Sequence, residues 1–181
     1  MMRALLKKQY HFSDYQIGQL EYLFKTIFSE ISKLVIFAVI FRRELGLYCF
    51  AVSIMCILRS VTGGLHCKTY ITCLLSSFIY LYLCIALLPQ FYINKLFQLI
   101  ILFFCMIAVY LVGPVTSVYR LPLPQKTVQK VRASSFLLIF FYLIAVYILP
   151  ESPYMAAGFW VVVLHTLQLA AAKQKKKGVV T

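Results

Sequence analysis

The chain has 181 residues, of which 62% are hydrophobic, against roughly 45 to 50% in an ordinary globular domain. A water-soluble core of this length cannot bury so much apolar surface, which excludes a soluble globular domain and predicts a protein embedded in a lipid bilayer. The formal net charge is +13, and the lysines and arginines that produce it lie mostly between and beyond the apolar stretches. This distribution favours anionic lipid headgroups or an acidic peptide as the partner and argues against nucleic acid.

The N-terminal segment, residues 1–27, mixes lysine and arginine with apolar side chains. Between Ile17 and Ile31 the apolar side chains recur every three or four residues, which is the spacing of an amphipathic helix. Ser13 and Gln16 have the spacing of a capping box and would start this helix. We predict that it lies in the cytoplasmic interface, or docks on the bundle, before the first membrane span.

Six apolar stretches follow and predict an all-α, polytopic transmembrane bundle over residues 28–172. With the N-terminal helix (residues 1–27) and a basic cytoplasmic tail (residues 173–181), this bundle is predicted to form a single membrane domain, residues 1–181. Crossing the hydrocarbon takes ~20 residues. The second and fifth stretches are shorter, so they must borrow flanking residues, lie in thinned bilayer or be partly re-entrant. The predicted spans are residues 28–41, 45–58, 71–89, 96–112, 136–149 and 154–172.

Positive charge sets the predicted orientation of the spans. Lysine and arginine accumulate in the loops after the second and fourth spans and in the C-terminal tail, whereas the opposite loops hold Lys95 in one case and Glu151 in the other. Because basic loops stay in the cytoplasm, both termini are predicted to be cytoplasmic. Arg42 and Arg43 are an exception, since they face outward if residues 28–41 cross. Either Glu44 partly compensates their charge, or the first two apolar segments form a hairpin that does not reach the far side.

The loop between the second and third spans carries reactive residue types. Residues 59–73 read RSVTGGLHCKTYITC. Gly63 and Gly64 predict irregular backbone, which persists at a membrane only where it is buried in protein or lines a wet cavity. An imidazole acts as a general base near neutral pH and a thiolate is a strong nucleophile, so His66 and a cysteine make a minimal pair for acyl transfer.

Two cysteines compete as the nucleophile that His66 would activate. Adjacent helical residues point about 100° apart, so Cys67 faces away from His66 on a helix. Cys73 shares a face with His66 but lies ~10.5 Å further along the axis. Cys73 has the better direction, and a kink or a non-helical start near residues 64–66 would shorten its distance.

The pattern Arg59-x3-Gly63-Gly64-x-His66-x6-Cys73 lies between the second and third spans of a small basic polytopic protein. In this position it resembles the motif of the accessory gene regulator B (AgrB) family of quorum-sensing peptide processing enzymes. The resemblance covers nearly the whole chain in length and in the order of the spans.

A second segment, GPVTSVYRLPLPQKTVQKVR at residues 113–132, resembles the proline-containing basic cytoplasmic loop that follows the fourth span in that family. Its second half, LPLPQKTVQK, is less densely charged than the lysine-rich versions of the family. This departure leaves open whether the loop recognises the substrate tail.

The resemblance implies a membrane cysteine endopeptidase of the bacterial plasma membrane. Such an enzyme cuts the C-terminal tail from an AgrD-like propeptide through an acyl-enzyme thioester and closes the remainder into a thiolactone or lactone ring. The family's histidine falls on His66 and its nucleophile on Cys73. The resemblance implies no cofactor and no metal, and a homodimer is compatible with it.

Further residues support this reaction in more than one way. The break at Gly63 and Gly64 is the natural place for oxyanion donors. Arg59 either stabilises developing charge, holds the substrate tail or anchors the second span. No acidic residue lies near enough in sequence to be named as a third catalytic group.

Four more polar residues have two interpretations each. Lys126, Lys130 and Arg132 either hold an acidic propeptide tail or belong to a solvated loop that sets the topology. His165 lies inside the sixth span and should face the bundle interior, where it either contacts substrate or packs with a satisfied hydrogen bond.

Two other functions compete with the peptidase. A zinc site would use His66, Cys67 and Cys73, but zinc takes about four ligands with paired spacings and the sequence has no second His/Cys cluster. A small transporter or non-catalytic scaffold is the other alternative. Against a transporter, the chain has no acidic residue inside a predicted span for ion coupling, because Glu30 and Glu44 lie at the edges of spans.

Overall fold

A computed structural model describes residues 14–63, 69–115 and 124–178. Helices are the regular elements of these residues, and no strand occurs among them, which confirms the predicted all-α fold. The helices are α1 (Asp14–Ile40), α2 (Leu45–Thr62), α3 (Tyr70–Tyr82), α4 (Lys95–Val112), α5 (Gln125–Ile148) and α6 (Pro153–Gly178). Arg42–Glu44 form a 3-10 turn before α2, and α3 continues through a π-helical turn, Leu83–Leu87, into a 3-10 turn, Leu88–Gln90.

Five helical segments of the described residues are long and apolar enough to cross a membrane, and they match the predicted second to sixth spans. This confirms a multi-pass membrane protein. The two short predicted spans borrow flanking residues and reach 21 and 24 residues, or about 32 and 36 Å at ~1.5 Å per residue. The segments are Arg42–Thr62, Tyr70–Gln90, Lys95–Val112, Gln125–Ile148 and Pro153–Gln174.

Helix α1 differs from the prediction for the N-terminal region. It is continuous for 27 residues, whereas the sequence predicts a boundary between an interfacial helix and a first span at residues 27 and 28. Lys25, Glu30 and Lys33 interrupt its apolar sequence, so it is not among the five segments above. Within the helix, the ammonium group of Lys33 pairs with the carboxylate of Glu30. By its contacts the chain divides into Met1–Arg42 and Arg43–Thr181, and each part is described by itself.

Helix α6 is the central element of Arg43–Thr181. Half of its apolar segment is buried inside the protein, whereas at most 28% of each other segment is buried. Ala157, Val161 and Leu169 on α6 are fully buried. Large apolar side chains on the other helices, such as Phe104 and Phe141, are 63% exposed, as expected for surfaces that contact lipid.

One end of the bundle brings together the C-terminal ends of α2 and α4. Gly63 pairs with Val115 in a parallel bridge. The C-terminal part of α6 reaches the same place, because Lys173 Nζ donates hydrogen bonds to the carbonyl oxygens of Leu111 at 3.2 Å and Val112 at 2.8 Å. We call this the motif end, because it carries residues of both segments that resemble the family.

At the opposite end, the starts of α2, α4 and α6 lie together with the C-terminal end of α5. The ring of Phe50 meets the ring of Tyr154 edge-on, with centroids 5.6 Å apart. Lys95 Nζ donates to the carbonyl oxygen of Leu149 at 3.2 Å. The spans therefore alternate in direction along the chain, as a bundle with short connections requires.

Replacing Lys173 with methionine is expected to destabilise the motif end. The Lys173 ammonium group donates hydrogen bonds to carbonyl groups at the C-terminus of α4, and its positive charge complements the helix dipole there. We expect the apparent melting temperature of the protein in detergent to fall by about 2 to 4 °C, which corresponds to about 1 kcal/mol. Lys126→Met, at an exposed position, is the matched control. Equal melting temperatures for the two variants would contradict the capping role.

Candidate functional site

Cys73 lies in the first turn of α3, where a side-chain cap begins the helix. Thr69 is extended, with φ −120° and ψ 154°, and precedes the first helical residue. Its hydroxyl oxygen accepts a hydrogen bond from the Thr72 N–H at 3.3 Å, and its carbonyl accepts one from the Cys73 N–H at 3.1 Å. These bonds satisfy N–H groups of the first turn. The Cys73 side chain is half-buried.

The start of α3 removes one obstacle to the predicted pair of His66 and Cys73. A single straight helix through both residues would hold the sulfur and the imidazole too far apart for a hydrogen bond. The extended Thr69 excludes that helix. Gly64, His66 and Cys67 lie outside the described residues, so the pairing of His66 with Cys73 stays a prediction.

Gly63 has the irregular backbone that the glycine pair predicts. Its φ of 77° and ψ of −158° lie in a region that only glycine occupies readily. A Cβ atom at this position would lie 2.5 Å from the carbonyl oxygen of Val115. The Gly63 N–H donates to the Arg59 carbonyl at 2.9 Å. Gly63 is therefore not an open oxyanion donor in this conformation, in contrast to its predicted role.

The two segments that resemble the family meet in space at this glycine. The Val115 N–H donates a hydrogen bond to the Thr62 carbonyl at 3.1 Å. Arg132 reaches the same segment, since a Cβ atom on Gly113 would lie 2.8 Å from its Nε. The fold thus connects the end of α2 to the loop that follows α4.

A buried hydrogen bond joins the last turn of α2 to α6. Thr62 Oγ1 and His165 Nε2 are 2.7 Å apart, and each residue is 1% exposed. His165 therefore faces the bundle interior, as predicted. The sequence leaves open whether His165 contacts substrate or packs with a satisfied hydrogen bond, and it does not indicate Thr62 as the partner. No local pattern connects two residues that are 103 positions apart, so only the general rule for polar groups in spans pointed to His165.

Arg59 lies one turn before Thr62 on α2 and is half-buried. Arg59 Nε, His165 Nδ1 and Gln168 Oε1 are buried and have no hydrogen-bond partner within the described residues. The motif end therefore contains a group of polar side chains inside an otherwise apolar bundle.

The basic residues that were predicted to bind substrate divide into two kinds. Lys126 and Lys130 are exposed in the first two turns of α5. Arg132 is half-buried, and its Nε is buried without a hydrogen-bond partner among the described residues. Only Arg132 is thus tied to the motif end by a described contact, and the exposed lysines remain available to an acidic ligand or to solvent.

A cleft of about 330 Å³ opens at the opposite end of the bundle. Its lining includes Tyr92, Lys95, Leu149 and Glu151, and it contains no histidine or cysteine. This cleft therefore offers neither a thiol nor an imidazole, and it lies at the far end of the spans from the motif end. Among the described residues, no group of three or more His, Cys, Asp or Glu side chains could hold a metal ion.

Comparison with known proteins identifies the family. Residues 3–169 match the family described as accessory gene regulator B. The chain is 26% identical to an AgrB-like protein of Clostridium beijerinckii over 142 residues, which cover 76% of this chain and 69% of that protein. No solved structure matches the chain. The family match supports a role in the processing of quorum-sensing propeptides. The chain therefore belongs to the accessory gene regulator B family.

Proposed function

We propose that the chain is a membrane cysteine endopeptidase that cleaves the C-terminal tail of an AgrD-like propeptide and cyclises the remaining acyl group. The observation that carries this proposal is the hydrogen bond from the Val115 N–H to the Thr62 carbonyl. It joins the end of α2, next to Gly63, with the start of the segment 113–132, which supports our proposal that the two motifs act as one site at this end of the bundle.

The proposed reaction transfers an acyl group twice. His66 takes the proton of the Cys73 thiol, and the thiolate attacks the scissile carbonyl of the propeptide. The C–N bond breaks, the protonated His66 gives its proton to the leaving amine, and the tail departs. A cysteine or serine within the propeptide then attacks the thioester, closes the thiolactone or lactone ring and releases Cys73.

Water competes with the internal nucleophile in the second step and would yield a linear acid. A nucleophile tethered in the same peptide benefits from a high effective molarity. A site among helices at the membrane face also restricts access of water. Both effects favour cyclisation over hydrolysis.

The remaining polar groups assist this chemistry. The Gly63 N–H is engaged by Arg59, so within the glycine pair the Gly64 N–H is the donor that we assign to the developing oxyanion. The half-buried guanidinium of Arg59 stabilises negative charge near the motif end. Lys126, Lys130 and Arg132 attract the acidic tail of the propeptide.

Trapping the acyl-enzyme tests this proposal. The chain is co-expressed with a tagged AgrD-like propeptide that has an amphipathic leader, a cysteine core and an acidic tail. We expect a released tail and a thioester between the N-terminal fragment and Cys73 that hydroxylamine cleaves, as detected by mass spectrometry. An adduct on any other residue, or cleavage that leaves Cys73 unmodified under all trapping conditions, would contradict the mechanism.

The same function requires the catalytic loop to face the cytoplasm, where the propeptide is made. If the loop after Thr62 is cytoplasmic, five alternating spans place Arg42 outside and the tail inside. A cytoplasmic N-terminus then requires α1 to cross as a sixth span. Its 27 residues extend about 40 Å, which exceeds the ~30 Å of hydrocarbon. The ion pair of Lys33 with Glu30 lowers the cost of placing these charges in lipid.

Labelling of introduced cysteines measures this orientation. In intact cells, we expect a membrane-impermeant maleimide to label Glu44→Cys, whereas Ser13→Cys should be labelled only after the cells are permeabilised. The variants are made in a background that lacks the native cysteines, and a Gln174→Cys variant provides the cytoplasmic control. Labelling of Ser13→Cys in intact cells would show that α1 does not cross.

A further inference from the structure

The buried contact between Thr62 and His165 has a defined direction. The Thr62 hydroxyl carries one proton, and its oxygen lies 2.7 Å from the Leu58 carbonyl oxygen of the preceding turn. A carbonyl only accepts, so the hydroxyl donates to Leu58. The contact of 2.7 Å to His165 is therefore a bond in which the His165 Nε2–H donates to Thr62 Oγ1. The single hydroxyl proton cannot serve both the Leu58 carbonyl and an unprotonated Nε2, so Nε2 carries a proton of its own.

Thr62, the last helical residue of α2, is held by two contacts: this bond to α6, and a backbone hydrogen bond from the loop that follows α4. The Thr62 side chain accepts from α6 through His165, and the Thr62 carbonyl accepts from the Val115 N–H at 3.1 Å. The next residue, Gly63, has a backbone conformation that only glycine adopts readily. Such a conformation persists only where surrounding contacts determine it. Thr62 and His165 supply one of these contacts.

We infer that His165 is a positioning residue for the reaction proposed above. Its Nε2–H fixes the point at which the chain leaves α2 toward His66, the residue that we propose as the general base. This inference rests on the proposed function. It differs from a packing role because it assigns the effect of His165 to one donated hydrogen bond rather than to the volume of the ring.

The rate at which N-ethylmaleimide alkylates Cys73 in the purified protein tests the inference without any substrate. Loss of the bond lets the end of α2 move and lowers the fraction of molecules in which His66 can take the thiol proton. We expect His165→Ala to slow the alkylation of Cys73 about tenfold, measured by mass spectrometry as the ratio of modified to unmodified Cys73 peptide over time. Unfolding would instead expose the thiol and accelerate alkylation.

Conservative variants separate the hydrogen bond from packing. Glutamine places an N–H donor near the position of Nε2, so His165→Gln should restore the rate to within about twofold of the wild type. Thr62→Ser should retain it, whereas Thr62→Val should match His165→Ala. In the double variant with both His165→Ala and Thr62→Val, Cys73 should be alkylated no more slowly than in either single variant, because both substitutions remove the same interaction.

Thr166→Val is the matched control on the same helix. Thr166 is also buried, but its hydroxyl donates to Val162 within its own helix at 2.8 Å, so the Cys73 rate should stay within about twofold of the wild type. An unchanged rate in His165→Ala, or a His165→Gln variant as slow as His165→Ala, would overturn the inference. Processing that survives Cys73→Ala would instead refute the proposed function, so the two failures are distinguishable.

Discussion

Cys73→Ala is expected to abolish processing of the propeptide, with a loss of about 10³-fold or more. The substitution removes the only atom that forms the acyl-enzyme bond, while a residue in the first turn of a capped helix tolerates alanine without loss of helix stability. Cys73→Ser should leave a small residual activity at most, because a hydroxyl is a far weaker nucleophile than a thiolate. Immunoblots of the tagged propeptide after co-expression measure both effects.

The other cysteines of the chain supply the controls. Cys67→Ala should process the propeptide within about twofold of the wild type, because the mechanism assigns no bond to this sulfur. Cys84 is fully buried in the π-helical turn after α3, and Cys84→Ala tests the effect of removing a thiol that no peptide can reach. If Cys67→Ala were inactive and Cys73→Ala normal, the nucleophile would be Cys67 and the assignment would be wrong.

His66→Ala should be about as inactive as Cys73→Ala, and the double variant no worse than either. Residues that act as one catalytic unit show this strong non-additivity, since removal of either partner removes the same step. A double variant that lost the product of two large factors would indicate that His66 and Cys73 act independently, for instance in binding rather than in proton transfer.

The membrane spans were predictable because each apolar run carries its own signal. Lipid demands a continuous stretch of apolar residues, and prolines or glycines mark where such a stretch stops, as Pro89 and Gly113 do here. Charge was the difficult case. The mixture of basic and apolar residues predicted an interfacial helix up to residue 27 and a separate span from residue 28. Instead, α1 is continuous, because helices propagate through charged residues when the backbone hydrogen bonds are unbroken.

The site was predictable only where its residues are neighbours in sequence. The glycine pair, the histidine and the cysteines lie within residues 59–73, so their spacing alone indicates acyl-transfer chemistry. The bridge of Gly63 with Val115 and the bond of Thr62 with His165 join distant parts of the chain. Such contacts follow from how α2, α4 and α6 pack, and the periodicity of one helix does not encode the position of another.

The oxyanion donors show how the exact end of a helix changes a prediction from residue types alone. Two successive glycines suggest two exposed N–H groups. The first of them instead continues the hydrogen-bond pattern of α2, since the Gly63 N–H binds the Arg59 carbonyl at 2.9 Å. The φ and ψ angles of Gly63 change the chain direction only after its N–H group, and that N–H group is still in position to bond within α2. The sequence predicts the irregular backbone, but not which amide is left exposed.

Gly63→Ala is expected to have the second large effect, a loss of processing of about 10- to 100-fold. The backbone region of Gly63 costs roughly 1 to 3 kcal/mol for any other residue. The added Cβ would also lie 2.5 Å from the Val115 carbonyl oxygen, so the bridge between the two segments must open. The direction that the chain takes from α2 toward His66 then changes. Processing of the tagged propeptide, normalised to the amount of protein in the membrane, measures the effect.

Gly46→Ala is the matched control, because the same atom is added to the same helix without either conflict. Gly46 lies in the first turn of α2, and its Cβ would meet only the hydroxyl end of the Tyr154 side chain, at 2.9 Å. A side-chain end can rotate away, and alanine favours the helix by about 0.5 to 1 kcal/mol over glycine. We expect processing within about twofold of the wild type. If Gly46→Ala and Gly63→Ala lost activity equally, the defect would lie in α2 as a whole, and the bridge of Gly63 with Val115 would have no special part in placing the catalytic loop.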